Sequence, residues 1–364
     1  MSKKTRKIRI ETDSMGDMEV PAIALYGATT QRAVLNFPIS GRKLPSSLIA
    51  AFALLKQSAA IANHRLKNLD ASRCDLITDA CDEVLNALMD PVREAGMMRH
   101  FPIDVFQTGS GTSTNMNMNE VISNIACKIA GKKIGAKDPV HPNDHVNMGQ
   151  SSNDTFPTAM QIAACVEIRT QLVPAMKMLH KSIKAKAKKW DKIVTVGRTH
   201  LMDATPIRMG QIFSGYAASI EYAIKRANRA MTHLAGNMPI GGTAVGTGMN
   251  THPKFGTYVC RELSKATKIK FIEANVSGSN ISNVLIGLGL PWTIKTIFIG
   301  RHEPSTDNLT VPLIFLIFVL IFTIAAFAYN NFMLTSCFGF QLIFIYLTYV
   351  VVEGLNIYIF EWNI

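Results

Sequence analysis

The segment Gly197-Arg198-Thr199-His200-Leu201-Met202-Asp203-Ala204-Thr205-Pro206 sets an imidazole beside a hydroxyl, at the end of a β-branched run and ahead of an expected helix. Imidazole is the side chain whose ordinary pKa suits proton transfer near neutrality. Its bland alternative is a buried, hydrogen-bonded core histidine. Two further clusters argue for chemistry. Gln107 to Asn117 includes Ser110, Gly111 and Thr112 and opens a helix with glycines and small hydroxyls, so that N–H and Oγ donors converge as they do at anion sites. It lacks the Lys-Ser/Thr ending of a P-loop, the chain has no GxGxxG, and the plain alternative is an elaborate N-cap. The other cluster runs His141-Pro142-Asn143-Asp144-His145 and then Gln150-Ser151-Ser152-Asn153-Asp154. His141 and His145 are four apart, but Pro142 argues against a helix and no third metal ligand stands at a useful spacing. A turn held by Asn143 and Asp144 is expected instead. Ser151, Ser152 and Asn153 form a second donor nest before a helix. Two anion nests and one proton-transfer residue, with no metal or cofactor motif, fit elimination or addition next to a carboxylate.

The elements that must carry these residues are mostly helical. Residues 9–45 read as an irregular, turn-rich opening. Ser46 and Ser47 offer N-caps for an Ala/Leu/Ile-rich helix to about Leu66, and a second helix runs from Asp70–Ser72 to about Met89 with a 3.6-residue apolar repeat. Further helices are expected over about 114–130, 154–189 and 207–234. Pro157 falls in a first turn and Pro174 at a kink of the 154–189 helix. The best strand candidate is Ile193 to Val196, and helices of this length pack as bundles.

Charge divides the chain. Up to Asn275 there are 36 basic and 22 acidic residues, a net of +14, whereas the last 89 residues hold 2 basic and 4 acidic. A positive field steers dianionic substrates. Lys177, Lys181, Lys184 and Lys188 lie on one helical stripe without interleaved aromatics, which reads as a solvated face and not as a nucleic-acid surface. The six cysteines form no CxxC spacing, which fits a reducing compartment. The basic first residues lack an apolar segment, so a cytoplasmic location is expected, with the mitochondrion as the alternative.

The clusters, taken in order, resemble the class II fumarate hydratases of the fumarase/aspartase superfamily. The resemblance is carried by Glu11-Thr12-Asp13-Ser14-Met15-Gly16, Tyr26-Gly27-Ala28, Gly109-Ser110-Gly111-Thr112, Asn115-Met116-Asn117-Met118-Asn119-Glu120, His141-Pro142-Asn143-Asp144, Ser151-Ser152-Asn153-Asp154, Gly197 to Pro206, and Gly241 to Gly248. His200 favours the fumarase branch, since similar aspartases carry Gln there and Ser-Thr-Asn-Asp in the second cluster; an aspartase-type ammonia lyase is the alternative. The resemblance implies a mainly α fold, with a mixed helical N-terminal domain over 9–150 and the first part of a long central bundle over 151–275. It implies that Ser110, Gly111, Thr112, Ser151, Ser152, Asn153 and Thr199 bind substrate and that His200 serves the proton transfer. It also implies that His141, Pro142, Asn143 and Asp144 form a second anion site, where Asp138 departs from the basic residue usual in relatives. Reversible hydration of fumarate to (S)-malate, no metal or other cofactor, and a homotetramer sharing its sites among subunits are further implications.

The resemblance ends at Asn275. The family's Gly-Ser-Ser-x-x-Pro-x-Lys-x-Asn-Pro loop, which carries its serine base, does not follow. No charged residue occurs from Asn308 through Val352, and Val311–Tyr329 and Phe332–Val352 are each long enough to span a bilayer. With residues 1–8 a basic tail, residues 276–364 therefore read as an unrelated apolar tail. They form either a two-helix membrane hairpin on a fumarase fragment or the translation of an unspliced intron or shifted frame, for which Val276-Ser277 matches a donor site. The intron reading predicts that mature message departs from this sequence after the Asn275 codon and restores the loop. Peptides from 276–364 in a cell extract would overturn it.

Overall fold

The computed structural model describes residues 7–274, which fall within the first of two units into which the chain divides, Met1–Leu290 and Pro291–Ile364. The opening is more ordered than its turn-rich composition suggests. Strands β1 (Ile8–Asp13) and β2 (Gly16–Pro21) form an antiparallel hairpin in which Asp13 pairs with Gly16. Helix α1 (Ala28–Asn36) follows. The Arg9 guanidinium holds this opening together by donating to the carbonyls of Pro21, Ala24 and Tyr26 at 2.9, 2.7 and 2.7 Å.

Helices α2 (Ser46–Arg65) and α3 (Ala71–Met89) run where the apolar repeats place them. Asp70 caps α3 by accepting from Arg73 N. The N-cap of α2 is Pro45, with no side-chain cap, so Ser46 and Ser47 sit in the first turn rather than capping it. Asp90 ends α3 and caps the short α4 (Pro91–Met97).

Helix α5 (Thr112–Ile129) is buried on every side from Ser113 to Cys127, apart from Met116. Its polar residues staple the loops around it: Asn117 donates to His100 O at 2.9 Å and Asn124 to Leu25 O at 2.8 Å. Glu120 does more. α1 has no cap of its own, and the buried Glu120 carboxylate accepts from the N–H groups of Gly27, Thr29 and Thr30 at 2.8, 2.9 and 3.1 Å, and from the Thr30 hydroxyl at 2.5 Å. Burial nonetheless pushes its pKa up.

The expected 154–189 helix is two helices, α6 (Ser152–Glu167) and α7 (Val173–Lys189), joined by a π turn at Ile168–Leu172. Pro174 has no N–H to give the carbonyl four residues earlier and its ring crowds that carbonyl, so the ladder widens there. Pro157 lies inside α6, beyond its first turn. Two exposed strands, β3 (Val194–Thr199) and β4 (Met202–Arg208), lead into α8 (Met209–Ala235). α8 runs back along α7 and on to α6: Trp190, just after α7, meets Phe213 at 4.8 Å, and Cys165 of α6 reaches Met231 O. Gly210 permits this approach, since a Cβ there would stand 2.5 Å from Ala187 O.

The core joins Phe52 and Leu55 of α2, Ile77 and Val84 of α3, Met118 and Ile122 of α5, Ile162 of α6, and Val259 and Leu263 of α9 (Phe255–Thr267). The α7–α8 pair stays largely outside it. Only Val173 of α7 and Gly210, Ala217 and Ala235 of α8 are buried, leaving Met178, Leu179, Tyr216 and Tyr222 exposed. No helix among the described residues is long and apolar enough to cross a membrane, and the two expected spans lie outside those residues.

The cap supplied by Glu120 yields a test. Glu120→Ala strands two buried N–H groups and one half-buried one, and the expected loss is about 3 kcal/mol in denaturant unfolding. Glu120→Gln, which keeps an acceptor, is expected to lose clearly less.

Candidate active site

The first donor nest divides its labour. Gln107 Oε1 accepts from Thr114 N at 2.9 Å and Thr108 Oγ1 from Ser113 N at 3.3 Å, so the capping of α5 falls to these two residues. This corrects the expectation of a broad array of free N–H groups, because most first-turn donors are already used. The Ser110 and Thr112 hydroxyls remain on the surface, 2.9 Å apart. Gly111, the N-cap residue, has φ +71°, and a Cβ there would lie 2.1 Å from the Phe156 ring of α6. The glycine thus answers to both backbone conformation and space.

The second nest is joined to the first. Thr112 Oγ1 and Ser152 Oγ are 2.8 Å apart, which sets the starts of α5 and α6 side by side. Ser151 caps α6 in a capping box with Asp154, and Asn153 donates to Ala244 O at 2.6 Å. The Thr112 and Ser152 N–H groups have no acceptor among the described residues. Three hydroxyls and two helix N-termini therefore face one spot, an arrangement that receives a carboxylate.

Beneath them lie two charged groups, Asp154, the last residue of the second cluster, and Lys56, which belongs to none of the clusters. Asp154, buried, accepts from Ser151 N, Gly241 N and Thr243 N at 2.9, 3.2 and 2.9 Å, tying α6 to the glycine-rich 241–248 turn. Burial raises its pKa to about 6 against the pull of these donors and of Lys56. Lys56 of α2 is fully buried and donates to Asn147 Oδ1 at 3.0 Å and Gln150 Oε1 at 2.9 Å. Desolvation lowers its pKa to about 7, opposed by the charge of Asp154. One signal could have found Lys56: it lies four residues after Phe52 on the apolar stripe of α2.

The histidine segment departs most from expectation. It forms a hairpin, whose second strand runs directly into α8 as expected of a segment ahead of a helix. His200 (φ +52°) and Leu201 (φ +64°) occupy the two turn positions between β3 and β4, a left-handed pair that ordinarily calls for Asn and Gly. His200 and Thr199 are exposed, and Leu201 is 97% exposed, which removes the core-histidine alternative. Neither side chain makes a polar contact with the hydroxyl cluster among the described residues. Arg198 pairs with Asp203 across the hairpin at 2.9 Å.

His141, Pro142 and Asn143 line a cavity of about 500 Å³ together with Glu11, Asp13, Thr29, Glu120 and Lys137. The local turn, Pro142–Val146, is held by His141, His145 and Asp144, whose carboxylate lies 3.1 Å from His141 Nδ1; Asn143 has no side-chain hydrogen bond in it among the described residues. His141 Nδ1 accepts from Asp144 N at 3.2 Å, and His145 Nδ1 accepts from His141 N at 2.8 Å. Lys137, which also reaches Thr12 O at 2.6 Å, brings a cation to this cavity next to the departing Asp138. No group of three potential metal ligands occurs among the described residues.

Residues 16–282 match a family model described as Lyase, and the chain belongs to this lyase family, with the mainly helical fumarase/aspartase-like fold. Within it, the chain is similar to fumarate hydratases. The chain is 50% identical over 266 residues to the class II fumarate hydratase of Nitrosomonas europaea, covering 73% of this chain and 56% of the relative. It is 48% identical over 270 residues to the mitochondrial fumarate hydratase of Schizosaccharomyces pombe, covering 74% and 50%. The crystal structure of class II fumarase from Schistosoma mansoni matches with a TM-score of 0.69 and 30% identity over 83% of this chain and 70% of that one. The chain thus spans little more than half the length of the curated relatives it matches. A second family model, described as sodium/calcium exchanger protein, matches residues 262–354, of which only 262–274 are described.

The shifts of Asp154 and Lys56 predict a pH signature. A raised Asp154 pKa contributes stability that is present below about pH 4 and lost as pH rises through about 6; the lowered Lys56 pKa contributes stability above about 10.5 that is lost as pH falls through about 7. The Tm of the wild type minus that of Asp154→Asn is therefore expected to fall between pH 4 and 7. A constant difference would contradict the shift.

Proposed function

We propose that residues 9–275 are the substrate-carboxylate half of a class II fumarate hydratase, the enzyme that interconverts fumarate and (S)-malate in the tricarboxylic acid cycle. The observation that carries this reading is the Ser110–Thr112–Ser152 hydroxyl cluster at two adjoining helix N-termini. In this reading Gly111, Ser151 and Asn153 shape the cluster, one carboxylate of the substrate accepts from its hydroxyls and N–H groups, and Thr199 and His200 serve the carbon that gains the hydroxyl. The exposed hairpin and the unpaired α7–α8 face support a site completed across copies of the chain, as in a homotetramer. His141, Pro142, Asn143, Asp144 and Lys137 form the second anion site. The domains are 9–150, 151–275 and a tail at 276–364, of which 276–282 still fall within the lyase match, with the working place cytoplasmic, or mitochondrial as in the fission-yeast relative. The chain alone turns over negligibly, because no residue after Asn275 matches the family's base-carrying loop.

The match of 262–354 to the exchanger family favours a second reading, a membrane-tethered fumarase fragment. Extraction at alkaline pH separates the two, since a tethered chain stays in the membrane pellet.

The test is fumarate binding to the full chain, followed by ligand-observed NMR. Thr112→Val and Ser152→Ala are each expected to weaken it at least about tenfold, the scale of one charge-assisted hydrogen bond. Absence of binding by the wild type would overturn the substrate assignment. Malate formation near the rate of an intact relative would overturn the inactivity.

A further inference from the structure

A buried lysine with no carboxylate in ion-pair contact needs a physical reason, because desolvating an ammonium is expensive and a methionine would fill the same space. Lys56 has its two hydrogen bonds to Asn147 Oδ1 and Gln150 Oε1, both in the loop that ends at Ser151. That loop closes on itself around the ammonium: Asn147 Nδ2 donates to Gln150 O at 3.3 Å, and Gln150 Nε2 donates to Val146 O at 3.0 Å and Met148 O at 3.2 Å. Asn147 Oδ1 also accepts from Asn115 Nδ2 at 3.1 Å, and Asn115 Oδ1 accepts from the Thr155 hydroxyl at 3.2 Å. Asn115 lies one turn into α5 and Thr155 one turn into α6. The chain of contacts thus crosses between the two helices one turn below the place where Thr112 and Ser152 meet.

We propose that Lys56 is a positioning residue, whose ammonium clamps the 147–150 loop and, through Asn147 and Asn115, sets the spacing of the α5 and α6 N-termini that carry the Ser110–Thr112–Ser152 cluster. The chemical use of that cluster rests on the functional reading above; the clamp itself does not. The other groups facing the ammonium are the Asp154 carboxylate from α6 and the Cys81 thiol from α3, whose pKa burial pushes up. Asp154 supplies long-range attraction, while the loop amides supply the contacts.

The experiment is hydrogen–deuterium exchange of the full chain, read on peptides spanning 110–116 and 147–156, for Lys56→Met, Gln150→Ala and the core control Leu55→Ala on the same turn of α2. Lys56→Met is expected to speed exchange in both peptides about tenfold relative to an α3 peptide, and Gln150→Ala to do so in 147–156 without the risk of misfolding. Leu55→Ala is expected to raise exchange in all three alike, as loss of core packing does. Equal patterns for Lys56→Met and Leu55→Ala, or an unchanged 147–156 peptide in Gln150→Ala, would overturn the clamp. A parallel set with fumarate separates the two ideas. If fumarate fails to protect 110–116 and 147–156 in the wild type, the substrate reading falls, while the ligand-free comparison still decides the role of Lys56.

Discussion

Two helix N-termini that point at one another repel, since each carries about half a positive charge in its unpaired N–H groups. Here α5 and α6 begin within a hydroxyl contact of each other, Thr112 to Ser152, and the rest of the site follows from having to hold them there. Asp154 places a negative charge at the third position of α6, where it meets the dipole favourably and also accepts from the glycine-rich turn. What repulsion remains is open to solvent, and it is the source of the attraction that a dianionic ligand would feel. On the proposed function, an unfavourable meeting of like ends and an anion site are one feature seen from inside and outside.

Rigidity behind that meeting comes from polar groups used as fasteners within an otherwise apolar core. Helix α5 passes through the middle of the domain, and its asparagines and Glu120 satisfy loop and helix ends that would otherwise be unpaired in the interior. Each fastener is directional where hydrophobic packing is not. The domain can therefore keep irregular loops, such as 101–111 and 130–151, fixed close to the nest without long secondary structure of their own.

Much of this was legible in the sequence, and the reasons for the exceptions are physical. Helices with a strong apolar repeat, α3 and α8, stand within a few residues of their expected ends, and the two donor nests were readable because serine, threonine and glycine before a helix have few other uses. The first hairpin was missed although Asp13-Ser14-Met15-Gly16 carries turn residues, because the surrounding glycines and prolines masked its alternation. Of the second hairpin the sequence shows the first strand, at Ile193 to Val196, but not the return strand, because His200-Leu201 is a left-handed turn built from residues that do not advertise one. The burial of Lys56 is hinted at only by its place on the apolar stripe of α2, and its partners are not legible at all, since only the three-dimensional placing of Asn147 and Gln150 supplies them. The kink expected at Pro174 coincides with a widened turn at Ile168–Leu172, whose position the proline alone does not give.

The His200 hairpin stands almost bare of other elements, and a two-stranded hairpin with both faces wet is marginal by itself. Two left-handed non-glycine residues at its tip add strain that only surrounding contacts can hold in place. If those contacts come from another copy of the chain, the order of the imidazole becomes a mass-action quantity. Specific activity in such a protein is not a constant of the polypeptide but a function of how much of it is present, and dilution alone would act as an inhibitor.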